Sequence, residues 1–373
     1  MMDISFCTCS HEHTEVFGET RSGDIQHMAN KRQSRRRFFC QLLTLFLFLI
    51  LTTSVIIIEV GLSHLPFTWI PKLWKNDTVQ ILAPLAKKPG RYDQYFVEYP
   101  YEYHFIINEP NKCEQQKPFV VLMVPVAPHN RVHRDIIRST WGSESTVLGK
   151  VVKLFFLLGL HPGEGAEQIQ QQVLQESQEH RDLIQSDFLD CYKNLTIKTM
   201  VMLEWLDSHC SSASYAMKID SDMFLNLNNL VNMLLETPKD NYITGLVECR
   251  AIVSRDPTSK WYLPVEIFPE PKYPCYALGL GYVLSLDLPR KLVEASRHVR
   301  AVYIEDVYLG LCMRYLDILP SYPPIGNYFN LIPVFYNRCA YSKLIATTTY
   351  AYINHMWVWK DFKRPEPFCS EER

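Results

Sequence analysis

Lys218-Ile219-Asp220-Ser221-Asp222-Met223-Phe224-Leu225-Asn226 is the stretch around which the rest of the chain can be ordered. It closes an apolar run, Tyr215 to Ile219, that reads as a short buried strand, and it leaves that strand through two carboxylates one residue apart. Aspartates so placed put hard oxygen ligands on a divalent cation and leave open positions for phosphate oxygens, so the site would neutralise a diphosphate. The same Asp-x-Asp also occurs in solvated turns and as the N-cap of a helix, here one near Asn228. The buried strand before the pair and the apolar Met-Phe-Leu after it favour the metal site, with Asp220 and Asp222 as its ligands.

Strands and helices alternate on both sides of this stretch. Phe119 to Val124 and Val151 to Leu158 read as strands, and His133 to Trp141, Glu164 to Glu179 and Leu195 to Cys210 as helices. Downstream, Tyr242 to Val247 and Gly281 to Leu286 read as strands, and Leu288 to Arg297 and Asp306 to Tyr315 as helices. Such alternation predicts an α/β fold whose ligands bind at the carboxyl ends of the strands. The 373 residues are 47% hydrophobic and 21% charged, which excludes a disordered chain and a small disulfide scaffold. A net charge of -2 excludes a globally basic nucleic-acid binder, and no nucleic-acid partner is expected.

Phe38 to Ile58 is an uncharged run of 21 residues, long enough for a helix to cross ~30 Å of hydrocarbon. Lys31, Arg32, Arg35, Arg36 and Arg37 precede it and the first lysine after it is Lys72, so the positive-inside rule keeps the N-terminus cytoplasmic. The expected plan is a cytoplasmic tail (1–37), a transmembrane signal-anchor (38–58), a Pro- and Tyr-rich lumenal stem (59–116), whose aromatic cluster Tyr92 to Phe105 can dock its C-terminal end on the core, and a globular domain (117–373). Eight cysteines lie beyond the span, where several disulfides are expected, but their 105 complete pairings leave the connectivity open. Asn76 and Asn194 head sequons that can accept N-glycans in a lumenal compartment.

Three further clusters carry chemistry. Glu305-Asp306-Val307-Tyr308-Leu309-Gly310 puts paired acids at a helix start, where they complement the helix dipole or where one serves as general base toward an incoming hydroxyl. Arg134 and Arg138, within R-D-I-I-R-S-T-W-G, can grip a phosphate or hold a carboxylate within the fold. In Tyr273 to Ser285, Gly279 and Gly281 allow close backbone approach, to a sugar for instance, or form a tight turn before a strand beginning at Gly281. Trp261 and Tyr262, in the loop Ser254 to Tyr273, can stack on sugar rings or pack on the core.

R-D-I-I-R-S-T-W-G, F-F-L-L-G at Phe155 to Gly159, D-F-L-D-C-Y-K-N-L-T-I-K-T at Asp187 to Thr199, K-I-D-S-D-M-F-L-N, G-Y-V-L-S and E-D-V-Y-L-G occur in the order seen in the β-1,3-galactosyltransferase family, which the chain resembles over most of residues 118 to 316. The resemblance implies a single-pass type II enzyme of the Golgi membrane. Its fold would be GT-A, a Rossmann-like mixed sheet with helices on both faces. The implied reaction is inverting β-1,3 transfer from UDP-galactose to a glycan acceptor on protein or lipid, with Mn²⁺ as cofactor. Asp220 and Asp222 would handle metal and nucleotide sugar, Asp306 would be the base, and Arg134, Arg138, Glu305, Gly279, Gly281 and Tyr282 would contact donor or substrate. The alternatives are N-acetylglucosaminyl transfer by the same chemistry and a non-catalytic Golgi glycan-binding protein. Two departures from the family pattern stand out: Ala277 and Leu278 precede Gly279, and Thr348 stands where a metal-binding histidine is common, with His355 seven residues further on.

Overall fold

The computed structural model describes residues 93–350 and 353–369. The expected tail, span and most of the stem, with Asn76, lie outside the described residues. Among those described, no helix is long and apolar enough to cross a membrane.

The strands in chain order are β1 (Phe105–Ile107), β2 (Val120–Pro125), β3 (Thr146–Val147), β4 (Lys150–Leu160), β5 (Leu183–Leu189), β6 (Tyr215–Ile219), β7 (Met223–Leu225), β8 (Ile243–Glu248), β9 (Tyr276–Ser285), β10 (Phe329–Asn330) and β11 (Ala346–Thr348). The helices are α1 (Lys112–Gln116), α2 (Arg131–Ser139), α3 (Ala166–His180), α4 (Leu195–His209), α5 (Leu227–Leu235), α6 (Leu288–Ser296), α7 (Glu305–Tyr315), α8 (Arg338–Tyr341) and α9 (His355–Phe362). The main sheet runs β1-β5-β4-β2-β6-β9-β8, with β3 paired to β4. Its centre, β5-β4-β2-β6, is parallel, whereas β1, β9 and β8 join antiparallel. A small sheet, β10-β11-β7, lies beyond the carboxyl end of β6.

Because side chains alternate along a strand, β2 feeds two cores. Val121 and Met123 join α4, α6 and α7 on one face, while Val120, Leu122 and Val124 join α2 and α5 on the other. The result is a mixed α/β sheet with helices on both faces, as expected. The elements predicted between Phe119 and Tyr315 are present, with one shift that matters for the site. Strand β9 begins at Tyr276 rather than Gly281, so Gly279 and Gly281 lie inside a strand paired to β6 and β8, not in a turn.

The boundary expected at 116 falls inside the fold. Strand β1 pairs with β5, the buried Tyr99 donates to Glu204 at 2.6 Å, and Cys113 on α1 is bonded to Cys210 at the end of α4. The C-terminal end of the aromatic cluster Tyr92 to Phe105 does dock on the core, and the partners in these contacts lie up to about a hundred positions away, where local sequence pattern does not register them. The other disulfides are Cys249–Cys275, joining the end of β8 to the start of β9, and Cys339–Cys369. On the chain-entropy account, the Cys113–Cys210 link, closing 97 residues, contributes about 4–5 kcal/mol.

Candidate active site

Strand β6 ends at Ile219 and delivers Asp220 at the carboxyl edge of the parallel strands. The Asp220 amide donates to the Leu280 carbonyl at 3.1 Å, which fixes the turn against β9. The helix that follows, α5, is capped by Asn226, whose side chain accepts from the Asn229 amide. Capping therefore accounts for neither aspartate. Trp141 of the R-D-I-I-R-S-T-W-G motif donates its indole N–H to the Met223 carbonyl at 3.1 Å, holding β7 and the preceding turn in register.

The two aspartates have different surroundings. Asp220 accepts from Lys218 at 2.7 Å, and Lys218 also donates to the Gly279 carbonyl. Burial alone would lower the pKa of Lys218, but the charges of Asp220 and Glu305 outweigh it and hold the ammonium above its usual range. Asp222 is exposed, and its carboxylate has no hydrogen bond or ion pair among the described residues. Its backbone carbonyl accepts from Thr349, whose hydroxyl is 3.4 Å from His355 Nε2. Burial lowers the His355 pKa, the charge of His133 adds to this, and Asp222 opposes it. A carboxylate and an imidazole are both donors that a divalent cation accepts, and among the described residues no three His, Cys, Asp or Glu side chains converge as a complete metal site.

On the opposite side, the start of α7 presents Glu305 and Asp306 in unlike roles. Glu305 is 8% exposed and accepts from Thr199 at 3.0 Å and from the Tyr282 hydroxyl at 2.9 Å, with Lys218 at 3.9 Å. Burial pushes its carboxyl up to about 7 against the opposing charge of Lys218. Asp306 is half-buried; its Oδ2 accepts from the Gly279 amide at 2.9 Å and its Oδ1 from the Val307 amide at 2.9 Å. At position 279 a Cβ would lie 2.8 Å from Glu305 Oε2, so any larger residue there requires that carboxylate to shift. Gly281 is different: an added Cβ would meet only ordinary contacts, the nearest at 3.6 Å.

The structure thus brings Asp220, Asp222, Gly279, Glu305 and Asp306 to one edge, around Lys218. Three expectations are corrected. Arg134, 1% exposed, is bonded twice to Glu176 (2.7 and 2.6 Å) and to the carbonyls of Ala127 and Pro128, so four of its five N–H donors are used and the group is closed off from a phosphate by its burial. Arg138 is likewise committed to Asp182, Asp135 and Glu176. Both guanidiniums fasten α2 to α3, and Arg138 also ties it to Asp182 just before β5, instead of gripping a nucleotide. Tyr282, fully buried, touches Glu305 rather than substrate, because its position in β9 faces the α4–α7 core. Asn194 is half-buried, and its side-chain amide donates to the Leu189 carbonyl at 2.9 Å.

Sequence reading gave no role to Lys218, Thr199 or Thr349. Lys218 stood inside the quoted motif, and its position one residue before the strand's end was the available signal. Thr199 acts on Glu305 and Thr349 on the Asp222 carbonyl, each more than a hundred residues away.

The galactosyltransferase family model matches residues 132–324, a span that includes both acidic motifs. The chain belongs to the galactosyltransferase family. Among its relatives in that family, human beta-1,3-galactosyltransferase 2 is 40% identical over 268 residues, covering 70% of this chain and 63% of its own length. Mouse beta-1,3-galactosyltransferase 1 is 38% identical over 265 residues, covering 70% of this chain and 79% of its own. The match thus spans a little under two thirds of the first of these relatives. Among solved structures, the WbbM bifunctional glycosyltransferase aligns over 64% of this chain and 46% of its own at 11% identity, with a TM-score of 0.36. That likeness is too distant to add to the family assignment.

Proposed function

We propose that this galactosyltransferase-family chain transfers galactose from UDP-galactose, in β-1,3 linkage and with inversion, to a sugar hydroxyl of a glycan on protein or lipid. The observation that carries the reading is the Asp306 carboxylate, fixed by the Gly279 and Val307 amides at the same strand edge as Asp222. The acceptor 3-hydroxyl attacks the anomeric carbon in line with the departing diphosphate, and Asp306 takes its proton as the new bond forms. Inversion follows from one displacement without a covalent intermediate. A divalent cation, Mn²⁺ in this reading, would supply charge neutralisation of the leaving diphosphate. Asp222 would hold it, with His355 as second donor in place of a histidine at 348, while Lys218 orients Asp220 behind it and opposes the burial that raises the Asp220 carboxyl above its usual range.

The fold is read as GT-A. Three disulfides among the described residues support an oxidising compartment, and with the 38–58 run they support a Golgi type II protein with this domain in the lumen. The test is UDP release by the full chain in detergent, with UDP-galactose and UDP-N-acetylglucosamine against mixed sugar acceptors, with Mn²⁺ or a chelator. Metal-dependent release with UDP-galactose and a β-1,3 product is expected. Release only with UDP-N-acetylglucosamine would reassign the donor, and UDP binding without turnover would favour a non-catalytic glycan binder.

A further inference from the structure

A cleft of about 270 Å³ opens among Tyr95, Tyr192, Tyr262 and Tyr303, with Lys193 and Lys260 on its wall. It adjoins the segment that carries the candidate base. Tyr303 stands three residues before Asp306, and its hydroxyl bridges to the carbonyls of Lys260 (2.9 Å) and Tyr262 (3.0 Å). Loop 250–274 is thereby tied to the start of α7, and the Cys249–Cys275 bond closes its base. The Tyr192 phenol is held above its usual range by burial and by the negative charge of Asp306, so cleft and carboxylate share one field.

The two lysines are placed over aromatic faces and lack anions. Lys193 Nζ is 3.4 Å from the centroid of Tyr303, and Lys260 Nζ is 4.6 Å from that of Trp261 and 5.9 Å from that of Tyr192. Neither has a carboxylate within ion-pair distance among the described residues. Elsewhere, Lys198, Lys218 and Arg134 are each given one: Asp190, Asp220 and Glu176. Burial lowers the Lys193 pKa, opposed within the chain by Cys191, and an anion entering the cleft would favour the charged ammonium.

We propose that this cleft is the acceptor subsite and that it selects a sugar bearing a negative charge, the tyrosine faces packing on the ring and Lys193 and Lys260 meeting the anionic substituent. The inference rests on Asp306 as the base. A neutral sugar would use the aromatic faces alone, whereas a sulfate ester or a hexuronate carboxylate adds charge-assisted bonds, roughly twice as strong as neutral ones.

The test compares three acceptors with UDP-galactose and the full chain in detergent: methyl β-N-acetylglucosaminide, its 6-O-sulfate, and methyl β-glucuronide. At least one charged acceptor is expected to exceed the neutral one about tenfold in kcat/KM. That ratio should fall toward one in the Lys193→Gln/Lys260→Gln double variant, with UDP binding as the check that the variant is folded. The two charged arms separate sulfate from carboxylate. Equal kcat/KM for all three, or a preference that the double variant keeps, would overturn the proposal. Absence of UDP release with every acceptor would instead refute the transfer reading. Saturation-transfer NMR with the same glycosides then reads the cleft directly: preferential contact by a charged sugar, lost in the double variant, supports it, and any other pattern overturns it.

Discussion

Glu305 sets the charge balance of the site. Its folded-state pKa, raised by burial from 4.5 to about 7, means that the folded chain holds a proton that the unfolded chain has released across that interval. The contribution of Glu305 to stability is therefore greatest below about pH 4.5, falls as pH rises to about 7, and is flat above. Denaturant unfolding of Glu305→Gln beside the parent chain at pH 5 and pH 8 should show the parent losing more stability between the two. Arg134→Leu should cost roughly 1–3 kcal/mol in the same assay, because the buried Glu176 carboxylate loses its two-bond partner and keeps only Arg138. An outcome within about 0.5 kcal/mol of the parent would mean that the pair is not buried as described. Gly279→Ala should cut transfer at least tenfold with little change in melting temperature, since a methyl group 2.8 Å from Glu305 Oε2 displaces the carboxylates before it disturbs the core. Unchanged kcat would contradict the role given to the Gly279 amide.

At the scale of elements, the central strands and main helices were legible because each carries its own periodicity. Strand β6 and its two aspartates are found where Tyr215 to Asp222 put them, at the carboxyl edge of a parallel strand. Strand β5 was not legible: Gln185, Ser186 and Asp187 interrupt its apolar run. Gln185 is tolerated in the interior only because it bonds Gln170 and the Gly159 carbonyl. The placement of β1 and α1 was hidden for another reason, since Phe105, Asn108 and Cys113 find their partners in Ser186, Trp205 and Cys210. Of the site, the acidic motifs were legible as chemistry. The structural use of Arg134 and Arg138 depends on Glu176 and Asp182, which no local pattern marks as partners. A chain beginning at residue 117 should accordingly fail to accumulate as a cooperatively unfolding protein, whereas one beginning at 88 should unfold in a single transition. Circular dichroism melts of the two would show this, and a cooperative melt from the shorter chain would place the domain boundary back at 116.

For the whole molecule, two cores on one mixed sheet hold β6, β9 and α7 in fixed relation, and the site occupies the line where the three meet. Reduction of the disulfides should lower the melting temperature by several degrees, the Cys113–Cys210 link contributing most because it closes 97 residues. A scan with and without reductant measures this, and Cys113→Ser/Cys210→Ser should reproduce most of the loss.

The central claim is that Asp306 removes the acceptor proton from a donor held by groups other than itself. Its most direct test is Asp306→Asn, assayed for galactosyl transfer and, separately, for UDP-galactose affinity by calorimetry in Mn²⁺. The account predicts a fall in kcat of about 10²-fold or more with donor affinity within about twofold of the parent. Turnover within tenfold of the parent, or loss of transfer together with loss of donor binding, would contradict it.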